Sequence, residues 1–320
     1  MKTKILIALL GIVAIAGCTI PGVPGITPGA PISGGGKGLE ITSFTAEPNA
    51  VYSGSTVRVI METENQGGAT AYNSSSFAYL TGSNINLNGN DDRYWRGKDN
   101  EDKNDCKYFM KDMKPADIVK GTQGDTKTFK WNLIAPNITA GQTRTDTFIG
   151  RVYTDYETGV NGNIWVYTET EADAAKASGR TLNKASFSST SGPVAVEVSV
   201  SPDPVIIYGT DKSLTLSIKI SNIASGTIYE PGKVKECNVT LESNNLNKVN
   251  VSVDAPDLDL TGTDCNSETT QELVSGRPTT VFCDVKVKTS VTTFKSFPIS
   301  VKVKYGYYTE KTASVTVQGR

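Results

Sequence analysis

Long stretches of this chain alternate apolar and polar side chains with a period of two. Val57, Val59, Met61 and Thr63 share one side of a segment whose other side carries Arg58, Ile60, Glu62 and Glu64. Leu214, Leu216, Ile218 and Ile220 stand in the same way against Thr215, Ser217 and Lys219. That period belongs to half-buried antiparallel strands, so both segments predict strands with one face on a core. Residues 171–178, Glu-Ala-Asp-Ala-Ala-Lys-Ala-Ser, have helix-forming composition for about two turns. The pattern predicts an all-β fold of stacked antiparallel sheets.

The two strands lie in longer matching segments. Pro48 matches Pro204, Tyr52 matches Tyr208 and, one inserted residue later, Asn65 matches Asn222. Further on, Arg151-Val-Tyr-Thr-Asp-Tyr and then Ile164-Trp-Val-Tyr parallel Val301-Lys-Val-Lys-Tyr-Gly-Tyr-Tyr and then Ser314-Val-Thr-Val. These ends predict a closing hairpin in each copy. An interval of about 156 residues implies two tandem β-sandwich units, 39–192 and 193–320, and not a solenoid. Two unrelated β units of similar composition are the alternative. A long polar insertion, 84–105, interrupts the first copy.

The opening of each copy is a strand followed by Pro, a Gly turn and an alternating strand, ending in the first copy at Asn65-Gln-Gly-Gly68. It resembles the immunoglobulin-like sandwiches of the CARDB (cell-adhesion-related) kind, which recur in surface proteins of archaea and bacteria. The resemblance covers the start and end of each copy. It implies a seven-stranded antiparallel sandwich used for display, spacing or adhesion, without catalysis.

The N-terminus indicates export. Lys2 and Lys4 precede an unbroken apolar run, residues 5–16. As a helix that run spans about 18 Å, too short for a hydrocarbon core of about 30 Å. It reads as the apolar part of a signal peptide, residues 1–17. Its end, Ile15-Ala16-Gly17-Cys18, resembles the lipobox of prokaryotic lipoproteins, which implies lipidation of Cys18 and a membrane partner. An ordinary secretory signal with a coincidental cysteine is the alternative. Residues 18–38 follow as a Pro/Gly-rich tether, reaching about 60 Å as polyproline II and about 25 Å as a flexible coil.

Lipidation of Cys18 leaves four of the five cysteines, an even number that suggests disulfides in an exported chain. Cys237 alternates in phase with Val239 and Leu241, and Cys283 with Val281, Val285 and Val287, so both are expected to face the second core. The immunoglobulin resemblance then implies a Cys237–Cys283 bridge between facing sheets, with two buried free thiols as the alternative. Cys106 and Cys265, in polar loops, are candidates for a second bridge stapling the copies together. No C-x₂-C pair is present, so zinc is not expected. Glycosylation sequons stand at Asn73, Asn137, Asn238 and Asn250.

Charge and composition narrow the chemistry. Lys and Arg total 32 against 33 Asp and Glu among 320 residues, for a net charge of -1, which gives no footprint for nucleic acid. The chain has no histidine, which removes Ser-His and Cys-His catalysis and the commonest metal ligand. No cofactor motif is present. Residues 84–92 carry oxygen side chains at alternate positions, a weak resemblance to a calcium loop involving Asp91 and Asp92. The twelfth position is Trp95, so the bidentate carboxylate is missing. Tyr94, Trp95 and Arg96 in the same insertion are either an exposed platform for a sugar or protein, or a pin holding the loop to the sandwich. The expected function is that of a non-enzymatic, lipid-anchored surface protein with a protein or glycan partner. A filament subunit assembling by strand donation and a carbohydrate-binding accessory protein are the alternatives.

Overall fold

The computed structural model describes residues 36–117, 121–210, 212–234, 237, 239–274 and 277–320. The signal segment, Cys18, most of the tether and Asn238 lie outside the described residues. The first copy supplies β1 (Leu39–Glu47), β2 (Ala50–Tyr52), β3 (Thr56–Asn65), β4 (Phe77–Gly82), β5 (Arg96–Gly97), β6 (Cys106–Tyr108), β7 (Thr126–Ile134), β8 (Thr143–Thr168) and β9 (Ser186–Ser189). The second supplies β10 (Val194–Ser201), β11 (Val205–Ile207), β12 (Ser213–Asn222), β13 (Thr227–Tyr229), β14 (Lys248–Asp254), β15 (Leu258–Asp259), β16 (Thr269–Glu272), β17 (Thr279–Val287) and β18 (Phe294–Gln318). The fold is all-β and antiparallel in its main sheets, with helix α1 at Glu169–Ala177.

One four-stranded sheet runs β1-β3-β7-β5 and another runs β10-β12-β17-β15, so the sequence repeat is also a repeat of sheet order. A third sheet, β16-β14-β18-β8-β4-β6, is shared by both copies. At its centre β8 and β18 pair without interruption, from Phe294 opposite Tyr167 to Gln318 opposite Thr143. At about 3.4 Å per residue this seam extends about 80 Å.

The segments expected to form closing hairpins are therefore halves of two continuous strands. Residues 157–163 of β8, Glu-Thr-Gly-Val-Asn-Gly-Asn, have turn composition, yet Thr158 and Val160 are buried in unbroken alternation. A partner strand along the whole length satisfies the backbone on both sides of the glycines, and that pairing overrides local turn propensity.

Two cores form against the inner face of the shared sheet. One collects Val57, Val59, Met61, Phe129 and Trp131, together with Val315 and Val317 from the far end of β18. The other collects Leu216, Ile218, Val281 and Val285, together with Val160, Ile164 and Val166 from the far end of β8. Each copy closes the other's sandwich with the far end of its own longest strand. The short strands repeat this exchange: β2 pairs in parallel with residues 316–318, and β11 with residues 166–168. The cut expected at 192/193 follows the sequence repeat, but the packing crosses it in both directions.

A smaller cluster lies on the outer face of the shared sheet. Phe77, Cys106, Tyr153 and Tyr229 pack there with Cys237 and Tyr308. Tyr229 lies over Gly306, where any β-carbon would overlap its ring.

The disulfides differ from the expected pairing. Cys106 bonds to Cys237 (Cα–Cα 5.8 Å) and Cys265 to Cys283 (Cα–Cα 5.9 Å), so no Cys237–Cys283 bridge forms. Cys283 does face the core from β17, fully buried. Cys237 does not: it sits in a turn with φ +65° and packs on the outer face. Apolar alternation at Cys237, Val239 and Leu241 reflects contact with the outer cluster. A staple between the copies exists, but Cys237 takes the place expected of Cys265.

The insertion 84–105 is packed down and not free in solvent. Leu87, Trp95 and Asp102 are buried, and a 3₁₀ turn spans Asn100–Lys103. Helix α1 begins two residues earlier than the composition indicates, because the Thr168 side chain accepts a hydrogen bond from the Glu171 backbone N–H and caps it.

Candidate functional site: a central cleft

The residues singled out in the insertion have structural partners. Trp95 is fully buried, its ring edge-on to Phe148 with centroids 5.0 Å apart. Its indole N–H donates to Asp146 Oδ2 at 2.9 Å. Asp146, itself buried, also accepts from Asn84 Nδ2 at 2.8 Å and Arg144 Nε at 3.1 Å. The reading of Tyr94, Trp95 and Arg96 as an exposed platform is overturned: a carboxylate 51 residues away holds the indole, and Trp95 pins the loop. Asp91 is engaged by Arg93, with Nη2 to Oδ2 at 2.6 Å, and that hydrogen bond draws the Asp91 carboxyl down to about 2. Asp92 accepts from Asn137 Nδ2 at 2.7 Å. Among the described residues no cluster of three or more His, Cys, Asp or Glu side chains gathers to hold a metal. The two calcium candidates are thus spent on other partners. Asn73 and Asn137 are exposed, whereas Asn250 is half-buried and accepts from Thr270 Oγ1.

The concave site lies elsewhere, at the junction of the copies. On the edge of β8 away from β18, β4 pairs as far as Tyr153 and β9 begins at Val160. Among the described residues, no strand pairs with 154–159 between them on that edge. A cleft of about 430 Å³ opens at this gap, within the range of small-molecule sites, about 300–1,000 Å³. Asp155 and Glu157 from β8 and Lys302 and Lys304 from β18 line it, together with the exposed Tyr72 and Asn161. Strand register sets Glu157 opposite Lys304 and Gly159 opposite Lys302. The alternation that buries Tyr156 and Tyr305 therefore turns these charged side chains to the outer face.

The walls are fixed from beneath. The Ala69 N–H donates to the Tyr156 hydroxyl at 3.0 Å, and that hydroxyl donates to Ala69 O at 3.1 Å, which holds the loop carrying Tyr72. Burial pushes the Tyr156 phenol up to about 12. Asn65, repeated as Asn222, closes the same loop: its Nδ2 donates to Ala69 O at 2.8 Å and Met113 O at 2.7 Å. Opposite, the Gly232 N–H from the second copy donates to Asp155 Oδ1 at 3.3 Å. The cleft is thus held from beneath and built by both copies. It holds no histidine or thiol, and its groups are suited to hydrogen bonding and charge contact. No motif could have signalled it, because its lining comes from segments far apart in sequence.

The chain enters on the reverse side. Gly36 lies against the Ile223 backbone and Gly38 against the Pro193 ring, beside the inward-facing Tyr307. The Tyr307 hydroxyl donates to Glu40 Oε1 at 2.9 Å, tying the start of β1 to the middle of the seam.

No family model matches the chain, and no curated protein does. Among solved structures, a Salmonella alpha-2-macroglobulin mutant is similar at 9% identity over 89% of this chain, with a TM-score of 0.22. This chain spans only 16% of that protein's length. The Enterococcus faecalis MSCRAMM ACE is 8% identical, with coverage of 89% and 96% of the two chains and a TM-score of 0.16. The CupB6 tip adhesin from Pseudomonas aeruginosa is 10% identical, with coverage of 89% and 97% and a TM-score of 0.15. At these values the likeness carries no argument about activity or ligand.

Proposed function

We propose that this is a non-enzymatic surface-display protein, held at the outer face of a membrane by a lipid on Cys18, whose central cleft binds a ligand. The observation that carries the reading is the placement of two features on opposite faces of one sheet. Residues 36–38 enter at the inner face, at mid-length of the seam, while Glu157, Lys302 and Lys304 open on the outer face. A tether attached there holds the body by its waist and turns the cleft away from the anchor. The tether's length, about 25 to 60 Å, lifts it clear of the bilayer. Two disulfides fit an oxidising, extracellular setting.

The test uses the full-length chain in its native host. With Lys302→Cys as a reporter, a membrane-impermeant maleimide is expected to label intact cells, and Cys18→Ser is expected to move the protein out of the membrane fraction. Labelling only after lysis, or a Cys18→Ser protein that still sediments with membranes, defeats the proposal.

A further inference from the structure

We propose that the ligand of the central cleft is a saccharide, a short neutral oligosaccharide lying across the β8–β18 seam with one ring on Tyr72. The proposal rests on the cleft being the binding face. It goes further by assigning the chemistry of what binds.

Hydrogen bonding singles out this cleft among the surface features. Most charged side chains near the seam have partners, as Arg151 has in Glu310 and Lys295 in Asp257. Around the cleft, by contrast, no hydrogen bond or ion pair among the described residues engages the side chains of Thr70, Glu157, Asn161, Ser300 or Lys302. The backbone beneath them is held by the seam and by Tyr156, so these free groups sit on a fixed frame. They include strong acceptors (Glu157), strong donors (Lys302) and groups that do both (Asn161, Thr70, Ser300). A ligand that satisfies all of them must donate and accept at closely spaced positions, as the hydroxyls of a sugar ring do. Two acids on β8, Asp155 and Glu157, face two lysines on β18, Lys302 and Lys304, with Glu157 directly opposite Lys304, and this balance favours a ligand without net charge.

Tyr72 supplies the apolar element. It is 58% exposed at the rim of the cleft, so its ring is open to the C–H face of a sugar. Lipid tails would leave the free polar groups of the lining unpaired, and a polyanion would meet Asp155 and Glu157.

Gly159 makes the inference testable without disturbing the fold. A β-carbon there meets nothing within 4 Å, and the outward phase of β8 aims the new side chain into the cleft between Lys302 and Asn161. The experiment screens the full-length protein on an array of neutral, amino and uronic-acid oligosaccharides, then titrates the best neutral trisaccharide by calorimetry. Wild type is expected to bind it, and Gly159→Trp and Tyr72→Ala are each expected to weaken binding by about tenfold or more. Both variants should keep the wild-type melting temperature. Absence of binding to every array sugar overturns the proposal, as does binding confined to charged sugars or affinity unchanged in both folded variants. Capture of an extended peptide in place of the sugars overturns it too. Because binding is read in solution, its failure leaves the surface-labelling result standing, and failure of the labelling leaves the sugar result standing.

Discussion

Tyr156 and Tyr305 stand opposite each other at the middle of the β8–β18 seam, their ring centroids 6.1 Å apart. Between them the two hydroxyls engage both copies. Tyr156 bonds the Ala69 backbone of the first. Tyr305 receives the Val194 N–H at 3.3 Å and meets Thr158 Oγ1 at 2.9 Å. Two buried phenols thus lock the point where the copies exchange strands.

The first prediction follows from their burial. Tyr156 has its phenol raised from 10.0 to about 12, chiefly because burial disfavours the phenolate, and burial raises Tyr305 and Tyr307 as well. A raised folded-state value means that the unfolded chain loses these protons first. The associated stability is fully present below pH 10, declines as pH climbs from 10 towards 12 and is lost beyond. Urea melts at pH 8, 10 and 11 should show this decline, and Tyr156→Phe should lessen it while Tyr305 and Tyr307 keep the remainder. At pH 8 the same variant should cost about 1–2 kcal/mol, because it strands the Ala69 N–H. A midpoint independent of pH over this range contradicts the assignment.

The strand exchange makes a second prediction, about cutting the chain. A fragment of residues 39–192 lacks Val315 and Val317 for its core and exposes Val160, Ile164 and Val166 of β8. Each fragment alone is expected to be aggregated or partly unfolded. Co-expressed 39–192 and 193–320 are expected to reassemble as a one-to-one complex on size exclusion. Two separately stable, monomeric halves would show that the exchanged strands are dispensable.

Side-chain alternation made both halves of this fold legible, because a period of two states which residues of β3 and β12 turn inward. The matched Asn65 and Asn222 were legible for a related reason. An Asn side chain closes a turn on its own neighbours, as Asn222 Oδ1 does with the Ala224 N–H at 3.1 Å. Alternation does not state which strand lies alongside, so the exchange of β8 and β18 left no mark on the pattern. The same gap misdirected Cys237: apolar phase says that a side chain is covered, not what covers it. Trp95 and Asp146 are 51 residues apart, and nothing local to either announces the other. The cleft is the extreme case, since its chemistry lies in a rim of separate segments brought together by that exchange.

A third prediction concerns the buried carboxylate under the insertion. Asp146→Ala leaves the Trp95 N–H, the Asn84 amide and the Arg144 guanidinium without their common acceptor. The expected loss is about 3–5 kcal/mol, typical of breaking a buried charged contact. Trp95→Phe keeps the ring contact with Phe148 and removes one hydrogen bond, so it should cost less, about 1–3 kcal/mol. Chemical denaturation of both variants checks the order. A Trp95→Phe protein weaker than Asp146→Ala would mean that packing, and not the carboxylate, holds the loop.

The disulfides offer a fourth prediction, because they close loops of different size. Cys106–Cys237 spans 131 residues and Cys265–Cys283 spans 18. In the chain-entropy account the longer loop restricts the unfolded chain more, so the first bridge contributes about 5 kcal/mol and the second about 3 kcal/mol. The bridges also act in different places. The first joins the two copies inside the shared outer cluster, and the second lies within the second core. Replacing Cys106 and Cys237 together by Ser should lower stability more than replacing Cys265 and Cys283, measured by urea denaturation under oxidising conditions. With the first pair removed, the seam remains as the main link between the copies, so the transition should broaden while the cores stay intact. A larger loss from the 265/283 pair would mean that the tight core around Cys283 outweighs loop closure, and a peptide map recovering Cys237 joined to Cys283 would overturn the pairing itself.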